Sequence, residues 1–164
     1  MLNYILTYVT LSVFFILQST IGIYIDICGI APNLIFVFAV CYAMYNYPVR
    51  SGVLCLIAGI VVDLYSRKYI GINALLYMYT GLAVSKLAAT LIRKNVWTAA
   101  LGVLIASAIY HTAILIIDFV VPGYSGFLYP FMRFVLPSTV YDAVVSIVIA
   151  LWARWLSTDR IRGI

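Results

Sequence analysis

The sequence predicts an all-α fold, a polytopic membrane bundle of about six transmembrane helices, two of them short. Three observations predict it. Hydrophobic residues make up 66% of the chain and charged residues 9%, with a mean hydropathy of +1.13; soluble domains hold about 45–50% apolar and about 25% charged residues. The apolar residues come in long continuous runs, unlike the ~10-residue alternating segments of a barrel strand. The 164 residues accommodate about six runs of ~20 residues and little else. This composition excludes a soluble globular enzyme and, by its apolar content, a disordered chain. A single transmembrane domain over residues 1–164 is expected, with no room for an extramembrane catalytic or nucleic-acid-binding domain.

Span one, Tyr4–Tyr24, carries no charge. It lacks the basic start and small-residue cleavage site of a secretory signal, and Ile25-Asp26-Ile27 before Cys28 is a poor lipidation context, so it is expected to stay as an uncleaved span. Span two, Pro32–Tyr47, opens with proline at a helix-compatible first position. A short turn over Pro48–Gly52 leads to span three, Gly52–Tyr65, which closes around Asp63. At 1.5 Å per residue, spans two and three reach only about 24 and 21 Å against ~30 Å of hydrocarbon. Two readings follow: two short spans crossing a thinned region, or a re-entrant hairpin. Span four, Gly71–Ile92, lies between Ser66-Arg67-Lys68 and Arg93-Lys94-Asn95. Span five is Trp97–Val120. A loop with proline and glycine, Pro122–Pro130, precedes span six, Phe134–Leu156, and a polar, basic tail follows.

Charge sets the expected orientation. With the N-terminus in the cytoplasm, the inner side holds Arg50, Lys86, Arg93, Lys94, Arg154, Arg160 and Arg162, and the outer side Arg67, Lys68 and Arg133. Seven bases against three obeys the positive-inside bias and places both termini inside. The basic residues are scattered at span ends, without a cluster or recognition module, so nucleic acid is not expected as a partner although the net charge is +5. Anionic lipid is the ordinary partner of such an inner face. Lys86 is expected to snorkel to the headgroups.

Polar residues inside a bilayer are costly and mark where function is sought first. Gln18, Asp63, Asn73, Tyr77, His111 and Asp142 all fall in the outer half of the expected topology. They form a candidate polar cluster or partner-binding site if the helices turn them together. For each the alternative is interhelical hydrogen bonding, at ~0.6–2 kcal/mol apiece, and for Asp63 and Asp142 also helix capping. Ser107, His111 and Asp118 share one stripe of span five by the 3.6 period, and Ser138, Asp142 and Ser146 one of span six. Gly52 and Gly59 on span three, and Gly81, Ser85 and Ala89 on span four, are candidate helix-packing residues; with Gly102-x3-Ala106 they form small-xxx-small faces that permit close contact within the chain or with a partner.

Catalysis is not expected. There is one histidine, no glutamate and no HExxH, GxSxG or phosphate loop, and a serine sharing a helix face with His111 and Asp118 does not make a triad. Cys28, Cys41 and Cys55 form no CxxC motif, so metal and disulfide are not expected, nor is any cofactor; buried small apolar residues are the simpler role. No charge ring or filter motif suggests a channel.

The middle of the chain resembles the MreD family of rod shape-determining membrane proteins. The carrying residues are Gly29-Ile30-Ala31-Pro32-Asn33-Leu34, Arg50-Ser51-Gly52, Gly59-Ile60-Val61-Val62-Asp63-Leu64-Tyr65, and Gly71-Ile72-Asn73-Ala74-Leu75-Leu76-Tyr77 with Gly81. The family has Pro-Asp-Leu opening span two, Gly-x3-Asp-Leu closing span three and Gly-x-x-Ala/Pro-Leu-x-Tyr entering span four. Pro137 through Tyr141-Asp142 is similar to its last span, and Asn33 stands where the family usually has aspartate. The resemblance implies a six-helix fold similar to the substrate-binding subunits of energy-coupling-factor (ECF) vitamin transporters. It also implies a place in the cell-wall elongation machinery of the bacterial plasma membrane, in association with MreC and through it with MreB, RodA and a penicillin-binding transpeptidase. Two functions of different kinds are therefore expected: a non-enzymatic scaffold, docking a partner's transmembrane helix on its small-residue faces, or a vitamin-type ligand-binding subunit of an energy-coupling-factor transporter. Transport subunits carry Ala-x3-Ala in the first helix, and Thr7–Gln18 has no such motif.

Overall fold

A computed structural model describes residues 2–21, 31–66, 71–90, 95–120 and 128–157. Among them every regular element is helical: α1 (Leu2–Ile21), α2 (Leu34–Tyr45), α3 (Pro48–Ser66), α4 (Ile72–Ala89), α5 (Val96–Leu115), a three-residue α6 (Leu128–Pro130) and α7 (Leu136–Ser157). A π-helical turn, Ile116–Val120, extends α5, and another, Phe131–Val135, joins α6 to α7. Asp26, Cys28, Arg67, Lys68, Arg93, Lys94, Arg160 and Arg162 lie outside the described residues.

The bundle is organised around α2. Its sequence is apolar on every side, and a helix of that kind belongs in an interior. Every residue from Ile35 to Met44 is buried, and α1, α3, α4, α5 and α7 all pack against it. The helix spans 12 residues, or about 18 Å, and starts later than the expected Pro32: Asn33 is its N-cap, outside helical geometry at φ −89°, ψ 81°. The chain leaves the helix at Asn46 in an extended conformation.

Helix α3 departs from expectation in the other direction. It is 19 residues long because Pro48–Gly52 is its first turn and not a separate loop. Proline favours the first turn of a helix, where its missing N–H has no intrahelical partner to lose. Of the two spans expected to be short, only α2 is. By length and composition Pro48–Tyr65, Val96–Phe119 and Leu128–Leu156 suffice to cross a membrane; Ile5–Thr20 and Leu34–Tyr45 are shorter apolar helices.

The last span begins at Leu128, ahead of the expected Phe134. Pro137 accounts for the π turn within it. A helical proline withholds its N–H and pushes on the carbonyl four residues earlier. The ladder here widens instead, with Leu136 N–H bonding Phe131 O, five residues back.

Helices α3 and α4 form the tightest pair. A Cβ at Gly59 would collide with the backbone of Ala74 and lie 2.7 Å from Asn73 O, and one at Gly81 would lie 2.9 Å from Cys55 Cβ. One at Gly52 would lie 3.1 Å from Leu82 Cγ. Ser85 is buried on the same side and donates to Asn46 O at 2.5 Å. Ala89 faces away, exposed; the buried small residue one turn beyond Ser85 is Ala88. A row spaced by four drifts around a 3.6-residue helix, and after two steps it has left the face. Cys41 and Cys55 are buried, as expected of small apolar residues. Lys86 is exposed in the last turn of α4, where a cation complements the helix dipole.

Candidate functional site

Two helices begin inside the bundle at the same end, and each has backbone N–H groups that no intrahelical carbonyl can take. In an apolar interior an unsatisfied amide costs several kcal/mol. The side chains that meet this demand are the polar residues singled out from the sequence.

At α4, Asp63 from the end of α3 supplies the acceptors. Its Oδ2 accepts from Gly71 N–H and Ala74 N–H, both at 3.0 Å. Its Oδ1 accepts from Asn73 N–H at 3.2 Å and Asn73 Nδ2 at 2.9 Å. The carboxylate is 2% exposed. Its charge sits against the positive end of the α4 dipole, where an anion is stabilised. Gly71 enters the cap at φ 95°, the left-handed region that glycine occupies without penalty. Asn73 then passes the network on, accepting Tyr110 O–H at 2.8 Å.

At α2 the acceptors come from two other helices and from its own N-cap residue. Asp142 of α7 takes Asn33 N–H at 2.8 Å. Gln18 of α1 takes Leu34 N–H at 2.7 Å and donates to Pro32 O at 3.0 Å. Asn33 Oδ1 takes Phe36 N–H and the Tyr77 hydroxyl, each at 3.1 Å. The other Asp142 oxygen accepts the Ser107 hydroxyl and, at 3.0 Å, His111 Nε2–H. Asp142 is fully buried, while His111 stays 20% exposed. An aromatic cluster joins the two caps: Phe36 stacks on Tyr110 (4.6 Å between centroids) and meets Tyr77 edge-on (5.0 Å), and Tyr77 and Tyr110 meet at 5.4 Å.

The structure thus brings Gln18, Asp63, Asn73, Tyr77, His111 and Asp142 together at one end of the bundle. Gly52, Gly59 and Gly81 lie within the α3–α4 contact, Gly59 beside Asn73 of the cluster, and Ser85 lies away from it against Asn46. Asp118 falls in the π turn beyond α5. Ser138 and Ser146 bond to carbonyls of their own helix. Asn33, Ser107 and Tyr110 are members the sequence did not mark for the cluster. A signal existed for Asn33, since asparagine immediately before an apolar run is an N-cap signature. None existed for Tyr110, one more apolar-face tyrosine among 14.

Beside the α2 cap lies a cavity of about 240 Å³. Gln18, Ser19, Asn33, Tyr110 and His111 supply its polar groups, and Phe15, Ile35, Val62, Tyr65 and Ile114 its apolar walls. The chemistry on offer is hydrogen bonding. The Ser107 proton is directed to Asp142 and not to His111, so serine and histidine are not arranged as nucleophile and base. No group of three or more metal-ligating side chains occurs among the described residues.

A second, larger cavity is an apolar groove of about 460 Å³ between α4 and α5. Its lining runs from Leu76 to Ala88 on one helix and from Thr98 to Ile109 on the other, with Met44 at its floor.

A family model for MreD, described as rod shape-determining protein MreD, matches residues 1–159. No curated protein and no solved structure matches the chain.

Proposed function

The chain belongs to the MreD family of rod shape-determining proteins, and from that premise we propose that it is a non-enzymatic membrane scaffold of the cell-wall elongation machinery that binds MreC. Membership assigns it a part in rod shape determination and a place in the membrane among the shape-determining proteins. The finer reading is that it crosses the bacterial plasma membrane several times with both termini in the cytoplasm. There it seats MreC's single transmembrane helix and so links MreC to MreB, RodA and a transpeptidase.

The observation that carries this reading is the groove between α4 and α5. Its walls run for about 18 and 17 Å along the two helices, the shape of a rod-like occupant. Small residues line it, among them Ala83, Ala88, Gly102 and Ala106, and close helix packing in a bilayer depends on such residues. The glycine face of α3 and α4 is already used inside the chain, whereas this groove is an open small-residue surface among the described residues.

Ala83 is exposed on the groove wall, and Ala83→Trp is expected to fill it without touching the core. The expected result is loss of MreC from affinity-purified protein and rounding of rod-shaped cells. Val148→Trp, on an exposed face of α7, is expected to change neither. Unchanged MreC recovery with Ala83→Trp would reject the groove as the docking site. Reporter fusions at each terminus test the orientation, and an extracytoplasmic signal from either would reject it.

A further inference from the structure

We propose that the cavity beside the α2 cap is a binding site for a neutral group bearing hydroxyl or amide functions, such as a sugar ring or polyol. This inference is independent of the groove and of MreC.

It follows from which polar atoms the fold leaves over. Gln18 spends Oε1 on Leu34 N–H and one Nε2 N–H on Pro32 O. Asn33 spends its Oδ1 on Phe36 N–H and Tyr77 O–H, and its Nδ2 has no partner among the described residues. His111 commits its Nε2 proton to the buried carboxylate of Asp142. When the imidazole is neutral with that proton on Nε2, it keeps an acceptor lone pair on Nδ1, which also has no partner among the described residues. Both residues line the cavity. Among the described residues it therefore presents spare donors, both N–H groups of that amide among them, together with spare acceptors, Nδ1 among them.

That pairing selects its ligand. A hydroxyl or an amide both donates and accepts, so it can satisfy the two atoms together. A phosphate or carboxylate brings acceptors only and would set its charge against the Nδ1 lone pair, with no lysine or arginine lining the cavity among the described residues. An ammonium brings donors only and would leave the asparagine amide unmatched. Tyr65 and Phe15 supply aromatic wall for the apolar face of a ring. The volume of about 240 Å³ is slightly below the usual range for ligand sites, about 300–1,000 Å³, and suits one headgroup-sized ring.

His111 is the chain's single histidine, so imidazole ¹⁵N resonances report on this site alone. The experiment records them for the full chain in nanodiscs with four probes: monoglucosyl diacylglycerol, diacylglycerol, methyl glucoside and methyl phosphate. A saturable shift of the Nδ1 resonance with monoglucosyl diacylglycerol or methyl glucoside supports the proposal. A response to the glycolipid alone identifies the source as a lipid headgroup, and a response to the free glucoside identifies a soluble one. Ser19→Leu, at a half-buried wall position outside the buried network, is expected to weaken the response at least tenfold while the spectrum stays that of folded protein. No shift with either glucoside, an equal shift with diacylglycerol, a response to methyl phosphate alone, or an undiminished response in folded Ser19→Leu protein would each overturn it.

Discussion

Asp63 and Asp142 are buried alike, at 2% and 0% exposure, and each caps the start of another helix. They hold the molecule at different ranges. The partners of Asp63 in its cap lie 8 to 11 residues ahead in the chain, so it closes a hairpin. Those of Asp142 lie 31 to 109 residues away, on α5 and before α2, so it closes the bundle. Their partners differ in kind too. Three of the four donors to Asp63 are backbone amides, which can only donate. Two of the three donors to Asp142 are a hydroxyl and an imidazole, which can reverse roles. The first carboxylate is locked by its surroundings, whereas the second sits among groups that can readjust and holds one of them, His111, at the wall of a cavity.

The largest expected effect falls on the local side of this contrast. Gly59→Leu would drive a side chain into the α4 backbone at Ala74, and the expected outcome is no folded protein by size-exclusion chromatography of a fluorescent fusion. Asp63→Ala comes next: two buried amides and the part-buried Gly71 amide lose their acceptor, at a cost of about 3–5 kcal/mol, read as a fall in thermal or denaturant midpoint. The isosteric pair then separates the two sites. Asp63→Asn places an NH₂ against N–H donors that cannot turn and is expected to recover little of the loss, still costing about 3 kcal/mol. In Asp142→Asn the amide oxygen keeps Asn33 N–H, while Ser107 turns its hydroxyl and His111 moves its proton to Nδ1. The expected cost is only about 1 kcal/mol, together with a tautomer change visible by imidazole ¹⁵N NMR. Equal losses for the two asparagine variants would erase the distinction. Tyr77→Phe removes one bond to Asn33 Oδ1, an acceptor that keeps Phe36 N–H, and is expected to cost about 0.5–1.5 kcal/mol.

Much of this was legible beforehand, for particular reasons. The all-helical membrane character follows from continuous apolar runs, and it holds. The six polar residues were found because charge and amide groups are rare in such runs, and position alone put them at one end. Helix boundaries were less legible. Pro48 reads as the start of a turn before span three, and it opens α3 instead, since proline fits both places. The π turn before Pro137 shifts the start of the last span, and its cause lies in the hydrogen-bond ladder, which hydropathy does not register. The row Gly81, Ser85, Ala89 was spaced by four, and the actual face picks Ala88.

From the sequence alone came the class of molecule and the residues able to hydrogen-bond inside it. These depend on composition and local period, which each residue carries with it. Only the tertiary structure decided which donors meet which acceptors, that the glycine face serves α3 and α4 and leaves the α4–α5 groove open, and that His111 and Asn33 meet at a cavity. Those outcomes depend on the rotation of each helix about its axis and on pairings up to 109 residues apart, and a one-dimensional pattern contains neither.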